Sequence, residues 1–146
     1  MATRRPFVNV SGALSEMPAG DTLAGVPALS LAQTWTAAQR GGVTALAVAA
    51  NLVAVDLALN NNFSLTLQAT TGQTLSNPTN AVAGQSGQIV LNQNATPSAL
   101  AFAANWIPLD GATPTVSTTA SAQNLISYYV ASSTQIWFSL NKRGVA

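Results

Sequence analysis

The sequence predicts an all-β protein, a jelly-roll-like antiparallel β-sandwich of about eight short strands, preceded by an irregular N-terminal arm. Apolar and polar residues alternate from residue 42 onward, most clearly in Phe63-Ser64-Leu65-Thr66-Leu67-Gln68. Such alternation places one face of a strand on a core and the other in solvent. Turn residues separate the alternating segments, and no amphipathic helix of about ten residues or more lies between them. This pattern argues against a parallel α/β sheet.

The order of the strands follows from these segments. The strand at residues 63–68 follows a turn at Asn60-Asn61-Asn62, and its apolar residues, with Ile89 and Leu91, are expected to face inward. Residues 106–111 are predicted to form a loop around a buried Trp106. The last two strands are predicted to pair as a hairpin. The predicted strands comprise residues 52–59, 63–68, 88–93, 99–105, 115–119 (a weak edge strand), 124–130 and 134–140.

Residues 1–41 are predicted to be an extended N-terminal arm and linker turn that makes assembly contacts, and residues 42–146 the β-sandwich domain. Pro and Gly recur every few residues through positions 1–32, so no long helix or strand fits there. One short strand is expected within residues 7–12 and a loop at residues 15–25. A single helical turn is expected at residues 35–40, ended by the following glycine pair.

The composition is unusually poor in charge. Asp, Glu, Lys and Arg make up 6% of the residues, against about 25% in an ordinary soluble domain. The formal net charge is +1, so there is no long-range field to attract nucleic acid or a membrane surface. We therefore expect neither partner. An uncharged surface can be buried against another protein at little desolvation cost, since few ions lose their water.

The residue types required by most catalytic sites are missing or scattered. The chain has no His and no Cys, which removes the usual general base, thiolate chemistry and the commonest metal ligands. Its four acids, Glu16, Asp21, Asp56 and Asp110, form no paired motif, and structural roles in loops and turns are favoured for them. Gly84-Gln85-Ser86-Gly87 lacks the Lys and the helix of a phosphate loop, which favours a hairpin or bulge. We expect no enzyme, cofactor or metal.

Candidates for assembly contacts come from the arm, the basic pairs near the two ends and the aromatic residues. The pairs Arg4-Arg5 and Lys142-Arg143 either contact an acidic partner or are solvated termini. Trp106 is favoured as a core residue, whereas core and interface remain equally open for Trp137. The full set of candidates is Arg4, Arg5, Phe7, Val8, Leu14, Leu23, Leu29, Trp35, Arg40, Trp137, Lys142 and Arg143.

Several short runs resemble a known type of protein. Residues 10–26, Val-Ser-Gly-Ala-Leu-Ser-Glu-Met-Pro-Ala-Gly-Asp-Thr-Leu-Ala-Gly-Val, are similar to a run common in bacteriophage tail-fibre and other virion proteins. Residues 33–41, Gln-Thr-Trp-Thr-Ala-Ala-Gln-Arg-Gly, resemble the segment that often follows it. Further runs that resemble a β-domain of the same proteins are residues 61–67, 75–80, 83–87 and 127–130.

The resemblance implies a non-enzymatic virion protein. Because no shaft or attachment domain is evident, the sequence looks most like a capsid decoration (cement) protein, many of which resemble jelly rolls. It would be made in the host bacterial cytoplasm and lie on the virion exterior. Its partners would be the phage major capsid protein or other virion subunits, and further copies of itself, with a trimer favoured over a dimer. The alternatives are a small tail-fibre or spike protein that binds host carbohydrate, and a lectin-like accessory module.

Overall fold

The computed structural model of the protein describes residues 7–10, 13–16, 40–69 and 72–143. Backbone contacts divide the chain into two units, residues 1–39 and residues 40–146. In the first unit, β1 (Phe7–Val10) pairs antiparallel with β2 (Ala13–Glu16). β1 lies within the predicted short strand. The prediction of a loop at residues 15–25 is wrong at Ser15 and Glu16, which belong to β2 because they pair with Val8 and Phe7. Residues 17–25 lie outside the described residues. Of the helical turn expected at residues 35–40, residues 35–39 lie outside the described residues, and Arg40 is not helical.

The second unit contains ten strands and, within residues 40–69 and 72–143, no helix. Six strands form one sheet in the order β10-β12-β11-β8-β6-β3, and four form another in the order β4-β5-β7-β9. In chain order the ten strands are β3 (Thr44–Leu46), β4 (Val48–Ala49), β5 (Leu52–Val53), β6 (Asn62–Thr66), β7 (Gln73–Leu75), β8 (Ser86–Asn92), β9 (Leu100–Phe102), β10 (Trp106–Pro108), β11 (Gln123–Ser132) and β12 (Gln135–Arg143).

The chain winds between the two sheets as a β-solenoid. It passes from β3 in the six-stranded sheet to β4 and β5 in the four-stranded one, and then repeats this path with β6 to β7 and β8 to β9. Each coil lies parallel to the one before it, so β3, β6 and β8 stack in one sheet and β5, β7 and β9 in the other. The antiparallel hairpin of β11 and β12 then extends the six-stranded sheet, and β10 pairs parallel with β12 at its edge.

The prediction of an all-β chain is confirmed, but an antiparallel jelly roll is not. Five of the strand pairings in the second unit are parallel and three are antiparallel. The reason is that period-two alternation identifies the inward residues of a strand and says nothing about its partner. Parallel neighbours need a crossover of about a dozen residues or more. Here the strand in the opposite sheet provides that crossover, in place of the helix whose absence argued against parallel pairing.

Several strand boundaries also differ from the prediction. Of residues 52–59 only Leu52–Val53 form a strand, and Asp56 makes an isolated bridge to Thr79. Residues 106–108 are strand β10, although Trp106 is buried as predicted. Residues 115–119 form no strand. These segments are short, and their pairing is decided by distant neighbours that local patterns do not encode.

The core lies between the two sheets, and its register was predicted. Phe63, Leu65, Leu67, Ile89 and Leu91 are all fully buried or nearly so, while Ser64, Thr66 and Gln68 face outward. The inward residues align from coil to coil: Leu46, Leu65 and Leu91 are in register across β3, β6 and β8. Burying each such side chain contributes roughly 1.5–3 kcal/mol.

Buried side-chain amides hold the corners between coils. The Gln73 side chain donates to the Gln68 carbonyl (2.9 Å) and to the Ser98 hydroxyl (3.0 Å), and accepts from the Gln68 amide (3.1 Å). Gln93 donates to the carbonyls of Ser98 (2.8 Å) and Ser117 (2.7 Å). Corner backbone cannot join a sheet ladder, so these amides satisfy groups that would otherwise be buried without a partner.

A glycine permits one close crossing between strands. The Tyr128 hydroxyl on β11 donates to the Asn61 carbonyl (2.7 Å), just before β6, and so reaches across β8. Gly87 lies in register between them, and a Cβ there would collide with that carbonyl and with the Tyr128 hydroxyl. Burial raises the pKa of Tyr128 to about 12, so this hydroxyl keeps its proton at neutral pH.

The core register predicts the effect of truncating Leu65. Leu65→Ala should lower the free energy of unfolding by roughly 2–5 kcal/mol, because it leaves a cavity between the sheets. The matched control is Thr66→Ala, one residue along and exposed, which should change stability by less than about 0.5 kcal/mol. Urea unfolding measures both. Equal, small effects would show that the register of β6 is wrong.

Candidate functional site

Of the two sheets that the described residues of the second unit form, the six-stranded one has more strands, and its outer face carries the candidate site. Strand register arranges its outward side chains in four rows that cross the sheet. The first row begins at the β10 edge with Ile107, which is in register with Trp137 on β12. Trp137 is in register with Tyr129 on β11, and Tyr129 with Ser86 on β8.

The first row carries an exposed aromatic pair. Tyr129 is 46% exposed, Trp137 42% and Ile107 37%. The rings of Tyr129 and Trp137 lie 6.0 Å apart between centroids, at an interplanar angle of 36°. By contrast, Trp106 and Phe138, on the inward side of the same strands, are buried and pack edge to face at 5.9 Å. The question that the sequence left open for Trp137 is therefore answered: its side chain is outside the core.

The remaining rows are almost entirely neutral. The second contains Ser139, Ser127, Gln88 and Asn62, and the third Asn141, Leu125, Val90, Ser64 and Ala45. The fourth begins with Arg143, which donates to Gln123 (2.6 Å), and Gln123 in turn donates to Asn92 (3.0 Å). Arg143 is the one charged residue in these four rows.

A groove lies at the start of the solenoid. It has a volume of about 560 Å³ and is lined mainly by Ala and Leu of the first coil, with Leu52 and Leu59 strongly exposed. Its polar lining comes from Asp56 and from three Ser and Thr residues, Thr44, Ser76 and Thr79. The edge strands β3 and β4 each pair on one side only within the described residues.

Asp56 and Asp110 have structural roles. Asp56 accepts hydrogen bonds from the Asn80 side chain (2.7 Å) and the Ala58 amide (2.9 Å). Both bonds lower the pKa of Asp56, and the bond from Asn80 has the larger effect. Asp110 accepts from the Ala112 amide (3.3 Å) in a turn. Within residues 40–69 and 72–143, no three potential metal ligands of the His, Cys, Asp or Glu types come together. Gly84 takes a positive φ of 93° in the turn before β8.

The predicted assembly residues do not form one cluster. Lys142 and Arg143 lie near the end of β12, exposed, and Lys142 donates to Thr115 (3.4 Å). Arg143 is six residues from Trp137 on the same strand, a separation on the order of 20 Å. Arg40 is exposed at the start of the second unit. The side chains of Phe7, Val8 and Leu14, on β1 and β2, and the residues Arg4, Arg5, Leu23, Leu29 and Trp35 lie outside the described part of the structure.

Sequence reasoning missed most of this face. Ile107 was placed in a loop, and the row of Ser127, Ser139 and Gln88 carries no motif. The available signal was the alternation in the final hairpin, which puts Tyr129 on the side opposite Tyr128. It could not show that Trp137 lies beside Tyr129, because that depends on the hairpin register.

Comparison of the chain with protein-family models, with curated proteins and with solved structures finds no match. No helix long and apolar enough to cross a membrane occurs among the described residues.

The Asp56 turn predicts a pH dependence. A lowered pKa in the folded state means that the contribution of Asp56 to stability is full above the ordinary value of 3.8 and is lost as the pH falls through the folded value. Asp56→Asn should therefore lower the Tm at pH 7. The gap in Tm between the variant and the wild type should narrow as the pH falls below about 4. The control is Asp110→Asn, which removes an exposed carboxylate that binds no other described side chain. A gap for Asp56→Asn that is independent of pH would contradict the expected role.

Proposed function

We propose that this chain is a non-enzymatic bacteriophage structural protein, a capsid decoration protein that binds the outer shell and bridges capsid subunits. The observation that carries the proposal is the outer face of the six-stranded sheet, which is regular, wide and almost uncharged. The runs resembling virion proteins, at residues 10–26 and 33–41, supply the phage context.

The chemistry of this face suits contact with protein. Val90 and Leu125 are in register on neighbouring strands in the third row, with Val90 39% exposed. Ser, Asn and Gln surround them, so burial against a partner would remove apolar surface from water without stripping any ion of its hydration. The proposal needs a flat sheet face, which a solenoid offers as well as the jelly-roll arrangement expected from the sequence.

The N-terminal unit would act as an assembly arm. Arg4 and Arg5 would pair with carboxylates of a neighbouring subunit, because guanidinium forms strong bidentate bonds to them. Fully extended, 32 residues span on the order of 100 Å, and the β1–β2 hairpin makes the reach shorter. Many weak contacts repeated over a shell would add up through avidity, most effectively from a homo-oligomer such as a trimer.

The second candidate function is that of a small tail-fibre or spike protein that contacts the host. The exposed pair of Tyr129 and Trp137 favours it, since such rings can stack on a sugar. Copy number on the purified particle separates the two functions. A decoration protein should be present at a level similar to that of the major capsid protein, and a fibre at the level of the tail subunits. A free monomer in size-exclusion chromatography would instead favour a lectin-like accessory module.

The third row provides the test of the interface. Val90→Arg and Leu125→Arg should each weaken binding to particles that lack the protein by roughly tenfold or more, because an unpaired charge would be buried in the contact. Val82→Arg is the matched control: Val82 is 63% exposed and lies in the turn before β8 rather than on the face. Co-sedimentation with particles measures binding. Unchanged binding by both variants would contradict the assignment of this face.

Deleting residues 1–32 tests the arm. The truncated protein should melt cooperatively at close to the wild-type temperature, because the described core lies within residues 53–138, and it should no longer assemble or bind particles. Thermal unfolding, light scattering and co-sedimentation give the three readouts. A truncated chain that fails to fold would show that the arm belongs to the folding unit instead.

A further inference from the structure

We propose that the first two rows of the outer face form a binding site for a neutral saccharide, with Tyr129, Trp137 and Ile107 as the platform. This inference deepens the second candidate function, contact with a host saccharide, and rests on it rather than on the capsid proposal.

The platform has the geometry that a sugar ring requires. Three apolar side chains stand in register on neighbouring strands β10, β12 and β11. They span two strand spacings, on the order of 10 Å. The aromatic rings are tilted by 36° rather than stacked on each other, and both residues keep more than two-fifths of their surface open. The C–H groups on the apolar face of a pyranose carry partial positive charge, which suits the negative face of an aromatic ring.

The second row supplies hydrogen-bonding groups beside the platform. Ser139 is two residues from Trp137, and Ser127 two residues from Tyr129, on the same outward side. Gln88 continues the row on β8, and Ser86 ends the first. The side chains of Ser127, Ser139 and Gln88 form no hydrogen bond within residues 40–69 and 72–143. They can therefore donate to and accept from sugar hydroxyls without breaking an existing bond.

The charge distribution indicates a neutral ligand. Neither row contains an Asp, Glu, Lys or Arg. Arg143, the charged residue of the fourth row, is six positions from Trp137 along β12 and already donates to Gln123. A phosphate, sulfate or carboxylate on the ligand would lose water here without gaining a partner. A protein partner on this platform alone is disfavoured, because three side chains offer far less than the roughly 800 Å² per partner of a stable interface.

The test uses the full chain with maltohexaose, cellohexaose and chitohexaose as probes. Calorimetry measures binding, and the indole N–H signals in the proton–nitrogen NMR spectrum report which Trp is perturbed. At least one oligosaccharide should bind saturably and shift the Trp137 signal, assigned from its loss in Trp137→Phe, while leaving that of the buried Trp106 in place. Tyr129→Ala and Trp137→Ala should weaken binding by roughly tenfold or more. Leu59→Ala is the matched control, since Leu59 is 66% exposed but lies in the turn before β6, outside the two rows.

Three results would overturn the inference. They are no saturable binding of any of the three oligosaccharides by the wild type, binding that leaves the Trp137 signal unmoved, and equal affinity in folded Tyr129→Ala. If Trp137→Ala does not fold, Trp137→Phe and the wild-type shifts decide. If the wild type binds none of the oligosaccharides, loss of a homo-oligomer in Tyr129→Ala would identify the platform as a contact between copies. Val90→Arg should bind saccharide as the wild type does. The effect of this variant on particle binding therefore tests the capsid proposal separately from the saccharide site.

Discussion

The parallel stacking of successive coils is the constraint on which the rest of the second unit depends. Each coil must place an apolar residue above that of the coil before it, as Leu46, Leu65 and Leu91 do. This alignment fills the space between the sheets, and it also fixes which residues face outward, because neighbouring residues on a strand point to opposite sides. The rows of the outer face are thus the complement of the core.

Hydrogen bonds at the corners between coils lower the free-energy cost of that stacking. Gln73 and Gln93 are buried, yet their side-chain amides form hydrogen bonds with groups of the turns around them. An unsatisfied buried polar group costs about 1–3 kcal/mol. A chain with few charges and many Asn and Gln residues can therefore close tight corners by side-chain bonding, and still leave its outer surfaces neutral.

Local patterns were sufficient for the inward residues and insufficient for the pairing. The alternation around Leu65 predicted the core side of β6 correctly, because burial acts on each strand separately. It could not distinguish a parallel from an antiparallel neighbour, nor reveal that Trp106 belongs to a strand, because both depend on residues far away in sequence. The same limit applies to the candidate site: Trp137 and Tyr129 were recognisable as aromatic residues, but their adjacency with Ile107 arises only from the register of three strands.

The crossing of Tyr128 over Gly87 fixes the register of the β11–β12 hairpin on β8. If β11 moved by two residues along β8, Tyr128 would face Ile89 or Gln85, and either side chain would block its hydroxyl from the Asn61 carbonyl. The hydrogen bond of Tyr128 also fixes the position of the neighbouring residue, Tyr129, whose side chain lies on the opposite side of the sheet. The buried phenol of Tyr128 and the absence of a Cβ at Gly87 thus determine the position of the exposed aromatic row, although neither residue belongs to it.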